Sequence, residues 1–219
     1  MSSAALPSSG VAALPLGNGA PVSYGMPVVR AISTAQPHRF TVAQVEEMVK
    51  VGILDENDRC ELIRGELIEK MTIGDPHVAA VRRLVRFFKR LPDELALLGV
   101  QDPIKLADSR PEPDCTLLRP AADDYELRTA SPPDILLLIE VADSTLAFDR
   151  TIKGPLYAQN GIAEYWIVNL LDQQIEVHRQ PRATGRYDET IIVRQPDSVS
   201  PLALPQLSLA VQEILGRNE

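Results

Sequence analysis

One run of residues, Asp134-Ile-Leu-Leu-Leu-Ile-Glu-Val141, restricts the fold of this chain more than any other. Its large aliphatic side chains do not alternate with polar ones, so neither face of the segment is wetted. It reads as a strand buried on both faces, central in its sheet. Glu140, near the end of that strand, is then the anomaly. A carboxylate there is costly unless a cation, a metal or a hydrogen-bond network neutralises it. The ends of central strands are also where α/β sheets place their ligands.

The text around this strand alternates strand-like and helix-like segments, which indicates an α/β domain. Thr41-Val-Ala-Gln44 has the pattern of a capping box, and Val42, Val45, Met48 and Val49 follow at helical spacing up to Gly52. Glu61 to Ile68 is two short apolar runs around Arg64-Gly65, a tight hairpin. A second helix is predicted over 75–90, with Val78, Val81, Leu84, Val85 and Phe88 as its apolar stripe. Strands are predicted over 100–106, 114–118, 164–168, 174–179 and 187–193. A helix is predicted over 151–160 with Gly161 beyond its end, and a short helical tail over 207–215. Residues 1–37 are rich in Ala, Pro, Ser and Gly and carry one charge, Arg30, so they read as a disordered tail or linker before a domain spanning 38–219.

Asp114 opens a strand directly after Pro113 and supplies a second carboxylate. Two acidic side chains on neighbouring strand ends, with oxygen-only chemistry, suit Mg²⁺ or Mn²⁺. Zinc would call for His or Cys, and the three histidines, His38, His77 and His178, are scattered. Lys153 follows Glu140 by thirteen positions, near the start of the returning helix. A lysine there is placed to orient an attacking water and to stabilise charge developing on a phosphate. Pro155 belongs in the first turn of a helix, which sets Lys153 at the helix start or kinks the helix there. Each signal alone has a plainer reading: Asp114 as a cap, Lys153 as a solvated cation.

The 219-residue chain carries 22 basic and 30 acidic residues, a net charge of −8 and a pI near 5.0, which excludes a large basic surface for nucleic acid. Any such contact must be local. Arg82, Arg86 and Lys89 lie mostly off the apolar stripe of the second helix and form either a solvated face or a phosphate-contacting one. Two cysteines, Cys60 and Cys115, both in apolar text, fit buried reduced thiols and a cytoplasmic location. No stretch is long enough to span a bilayer, and no secretory signal is evident.

The order Pro-Asp, apolar strand ending in Glu-Val, then Lys on the next helix resembles the Uma-type family of bacterial restriction endonucleases, within the PD-(D/E)xK nuclease superfamily. The resemblance spans about 40–215. It rests on Glu61-Leu-Ile-Arg-Gly-Glu66, Pro111-Glu-Pro-Asp114, Leu137-Leu-Ile-Glu-Val141, Asp149-Arg150, Lys153 and the block from Tyr157 to Val168. It implies a mixed central sheet flanked by helices, Asp114 and Glu140 as ligands of Mg²⁺ or Mn²⁺, and hydrolysis of DNA phosphodiesters. The wider superfamily places its lysine two residues after the Glu. Here that residue is Ala142, so the resemblance transfers the role to Lys153. Glu61 matches an early acidic position that can complete the metal shell. His77 matches a recurrent family position, catalytic or bonded to backbone at a helix start. Asp149 is a helix cap or a support for Lys153. Tyr165 and Trp166 belong in the core or at the edge of the site. One such site cuts one strand, so double-strand cleavage calls for a homodimer, with the Tyr165/Trp166 strand and the peripheral strands as candidate interfaces. Rival readings are a nuclease-fold binding or regulatory protein without turnover, and a hydrolase of another phosphoester.

Overall fold

The computed structural model describes residues 37–216, so the tail expected over 1–37 lies, apart from Pro37, outside the described residues. The first helix, α1 (Val42–Lys50), begins as its sequence predicts. Thr41 Oγ1 accepts from the Gln44 N–H at 3.2 Å, and Gln44 Oε1 accepts from the Thr41 N–H at 2.8 Å. A hairpin follows, β1 (Cys60–Ile63) against β2 (Glu66–Glu69). Its two turn residues, Arg64 and Gly65, both have positive φ, 52° and 80°, the mirror-image turn that matches strand twist. A Cβ at Gly65 would stand 2.9 Å from the Arg39 Cβ, so glycine is needed there for space as well as for φ.

Helix α2 (Asp75–Phe88) carries the predicted stripe and leads to a six-stranded sheet. The sheet comprises β3 (Leu97–Gly99), β4 (Cys115–Leu118), β5 (Ile135–Ala142), β6 (Glu164–Asn169), β7 (Gln174–Arg182) and β8 (Arg186–Arg194), in that spatial order. Neighbours are antiparallel except for β5 and β6, which are parallel. A parallel pair needs a crossover, and the helical segment between β5 and β6 supplies it. Two short strands, β9 (Ser198–Val199) and β10 (Leu209–Ala210), pair with each other before α5 (Val211–Leu215).

The aliphatic strand is central, as its sequence requires. On one face, Leu137, Ile139 and Val141 pack with Leu84 and Phe88 of α2, Trp166 of β6 and Ile214 of α5. On the other, Leu138 and Ala142 pack with Leu156, Tyr157 and Ile162. Glu140 occupies the position between Leu138 and Ala142 on that second face. The architecture is therefore α/β: a mixed sheet with helices on both sides.

Two local expectations are corrected. The strand predicted over 100–106 is displaced to β3, and 100–106 is irregular. Pro103 has no N–H for a ladder, and Leu106 turns back to bond Ser109. The helix predicted over 151–160 begins earlier. The chain turns helical at α3 (Leu146–Phe148), widens over Asp149–Lys153 into a turn in which the Gly154 N–H reaches back five residues to the Asp149 carbonyl, and continues as α4 (Gly154–Gln159). Pro155 explains the widening, because it offers no N–H and its ring crowds the carbonyl four residues behind it. Lys153 thus closes a wide turn, so of the two settings that Pro155 allows the structure shows the distorted helix.

Leu138 is fully buried, so Leu138→Ala is expected to cost about 2–5 kcal/mol in denaturant unfolding. Gly65→Ala is expected to cost more than about 1 kcal/mol, whereas Gly52→Ala, with open space around its Cβ position, loses only the φ term.

Candidate active site

The β4–β5 ladder pairs Cys115 with Ile139, so the next step outward sets Asp114 across from Glu140 on the same face. Asp114 takes over where the ladder ends: its Oδ2 accepts from the Val141 N–H at 2.8 Å. The same oxygen is 3.1 Å from His77 Nε2, delivered by the first turn of α2. Glu140 Oε1 accepts from Lys153 Nζ at 3.0 Å and from the Tyr157 hydroxyl at 2.7 Å. Lys153 Nζ also lies 3.2 Å from Glu61 Oε1, brought in by β1. The other Glu61 oxygen accepts from the Glu112 N–H at 3.1 Å. The Thr145 hydroxyl donates to Asp149 at 2.6 Å.

All five residues singled out from the sequence, Glu61, His77, Asp114, Glu140 and Lys153, therefore belong to one connected group. It is deeply set: Asp114, Glu140 and Lys153 are 8%, 4% and 7% exposed. Asp114, Glu61, Lys153 and His77 line a cavity of about 580 Å³, while Glu140 is covered by its two hydrogen-bond donors. The largest cavity, about 1300 Å³, runs along the edge strand β3 and holds none of these groups.

Three buried carboxylates, those of Glu61, Glu140 and Asp149, act on one buried ammonium, and a fourth, Asp114, is buried close enough to act on Glu140. Burial pushes Glu140 up to about 8; Lys153 opposes this, and Asp114, Asp149 and Glu61 add to it. Burial likewise raises Asp149 to about 6, against the pull of Lys153 and the Thr145 hydrogen bond. Burial works against the Lys153 charge, but Glu140, Glu61 and Asp149 outweigh it and hold the ammonium above its usual range. Burial also works against the His77 charge, and the hydrogen bond and charge of Asp114 raise it nonetheless. His77 Nδ1 is buried without a partner.

The donor chemistry fits a hard divalent cation. Negative charge exceeds positive charge in the group, and the hydrogen bonds fall on Asp114 Oδ2 and Glu140 Oε1, leaving the second oxygen of each carboxylate for another partner. Among the described residues no three His, Cys, Asp or Glu side chains converge on one point as they stand. Two carboxylates would thus share an ion with water and substrate oxygens, as Mg²⁺ commonly does.

Tyr157 was not anticipated as a site residue. Its signal was available: it follows Lys153 by four positions, one helical turn, and so faces the same way. Asp149 does not cap a helix N-terminus; it sits within the wide turn, its charge acting on Lys153. Arg82, Arg86 and Lys89 are exposed and form no ion pair among the described residues. None lines the carboxylate cavity, and Lys89 borders the larger groove. Arg83 instead binds the carbonyls of Ile214 and Leu215 at the end of α5. Tyr165 and Trp166 are wholly buried in β6 between two other strands, so they are core residues and cannot form an interface.

The sequence matches the Uma2 family, described as "Putative restriction endonuclease", over residues 43–212. No curated protein sequence matches it. The fold is similar to a crystal structure of a "putative nuclease belonging to DUF820" from Anabaena variabilis. The TM-score is 0.61 at 17% identity, covering 80% of this chain and 97% of the other. A match across 43–212, which takes in Asp114, Glu140 and Lys153, leaves one conclusion: the chain belongs to the Uma2 family.

Proposed function

We propose that this protein is a divalent-metal-dependent endonuclease that hydrolyses DNA phosphodiester bonds at the Asp114–Glu140–Lys153 group. The observation that carries the reading is the surplus of buried carboxylate around one ammonium, at the end of the central strand. Such an arrangement is costly for folding and is retained where a cation or a reacting group needs it.

Asp114 and Glu140 would hold Mg²⁺ or Mn²⁺. When bound, the ion supplies neutralising charge at the phosphate and lowers the pKa of water. The chain's own groups do the rest. His77 and the Val141 amide fix the Asp114 carboxylate, and Tyr157 fixes Glu140. Lys153, held protonated by Glu140 and Glu61, serves as a hydrogen-bond donor and not as a base. It orients water towards phosphorus and meets the negative charge that grows on the phosphate oxygens. Arg82, Arg86 and Lys89 provide basic surface outside the cavity for phosphates away from the scissile one. Double-strand cleavage by this single site would need a second copy.

A binding protein without turnover is the second reading. It is favoured by Ala142 in place of the superfamily lysine and by the lack of three converging side-chain ligands among the described residues. Calorimetric titration with Mn²⁺ separates the two: a nuclease binds the ion in a manner lost in Asp114→Ala, and an inert descendant binds none there.

With plasmid DNA and Mg²⁺ or Mn²⁺, Asp114→Ala, Glu140→Ala and Lys153→Met are each expected to lower the cleavage rate by about 100-fold or more while circular dichroism stays native. Retained cleavage in the Asp114 or Glu140 variant would sink the assignment. The same group is expected to weaken the metal-free fold. The folded pKa of Glu140 lies near 8, above its ordinary 4.5, so its contribution to stability is complete below pH 4.5 and is lost as pH rises through 8. In EDTA at pH 8.5, Glu140→Gln, which leaves Lys153 its Glu61 partner, is expected to gain about 1 kcal/mol or more over the parent protein. The gain should fade as pH approaches 4.5.

A further inference from the structure

The rim of the carboxylate cavity differs chemically from its floor. Met71 and Ile73, on the connection from β2 to α2, line it while 45% and 43% exposed, and Phe148 and Ile68 line it half-buried. Of the two cations on the rim, Lys70 is already ion-paired with Glu112. Arg59 is exposed, has no carboxylate partner among the described residues, and rests its guanidinium on the Met71 carbonyl at 3.5 Å. Gln101, which lines the same cavity, is held at a φ of +56°, a conformation rare outside glycine, with its N–H on the Asp114 carbonyl at 3.3 Å.

An intact duplex is held chiefly by Lys and Arg on its phosphates, usually several at once. Among the described residues this rim offers one arginine without a carboxylate partner. It offers instead an apolar lip of Met, Ile and Phe, the side-chain types that separate or carry unstacked bases. Asp114 lines the cavity while 8% exposed and Glu140 lies beneath its two hydrogen-bond donors, so a strand must bend inwards to bring its phosphate. An unpaired strand bends freely and has bases to set against apolar walls; a paired one does neither without first paying to unstack.

Resting on the nuclease reading of the same site, we infer that the preferred substrate is DNA unpaired at the scissile position, with the flanking base packed on the lip of Met71, Ile73 and Phe148 and the adjacent phosphate on Arg59.

The test uses the full chain with Mn²⁺ and a fluorescein-labelled oligonucleotide, single-stranded or annealed to its complement. The unpaired form is expected to be cut with a kcat/KM at least ten times that of the duplex. Met71→Ser/Ile73→Ser, exposed positions whose change does not threaten the core, is expected to raise KM for the single strand about tenfold. Its kcat and its Mn²⁺ affinity by calorimetry should be little altered. Equal or better cleavage of the duplex, or an unchanged KM in the double variant, overturns the inference. Should neither DNA be cut, anisotropy still decides. Preferential binding of the unpaired oligonucleotide that the double variant loses upholds the lip while the nuclease reading falls, and equal or duplex-favoured binding overturns the inference.

Discussion

The contact between Glu140 and Lys153 organises the rest of this molecule. It joins the middle of the sheet to the crossover segment, and it does so on a face otherwise filled by Leu138, Ala142, Leu156 and Ile162. Removing Lys153 would strand the Glu140 carboxylate in an apolar layer, whereas removing Glu140 leaves Lys153 its Glu61 partner. The surrounding hydrogen bonds are therefore obligatory: Tyr157 on the carboxylate, Glu61 on the ammonium, and the Glu112 amide on Glu61. Each brings a different element to the same point, so the hairpin, the segment leading into β4, β5 and α4 are mutually located by polar contacts as well as by packing.

Much of this was legible before any coordinates. A two-sided aliphatic run with one carboxylate in it predicts both a central strand and a site at its end, because burial and charge are in conflict there. The hairpin turn, the capping box at Thr41 and the α2 stripe are local signals and stand where they were read. The strand placed over 100–106 failed because Pro103 and the turn to Ser109 outrank the β-propensity of Val100, Ile104 and Leu106. The helical segment was entered too late because Leu146 to Phe148 is too short to show a period of its own.

The site divides similarly. Residues fixed by strand ends, Asp114 and Glu140, are readable because strand geometry is simple. Lys153 was identified, and Pro155 signalled a distortion beside it; the width of the five-residue turn leaves no further pattern in the sequence. Tyr157 escaped because a buried tyrosine on a crossover helix looks like core, and it is core in all but its hydroxyl. The exposed lip at Met71 and Ile73 was invisible because exposure is a property of the fold and not of residue type.

The wide turn carries a final implication for how such sites diversify. Ordinary α-helical winding advances each residue by about 100°, so adding or losing one residue between Thr145 and Gly154 would swing the ammonium to another side of the segment. The strand, by contrast, carries no cationic group, and Ala142, two residues past Glu140, is fully buried. The position of the ammonium thus binds the crossover to its length, while burial on both faces binds the strand to its sequence.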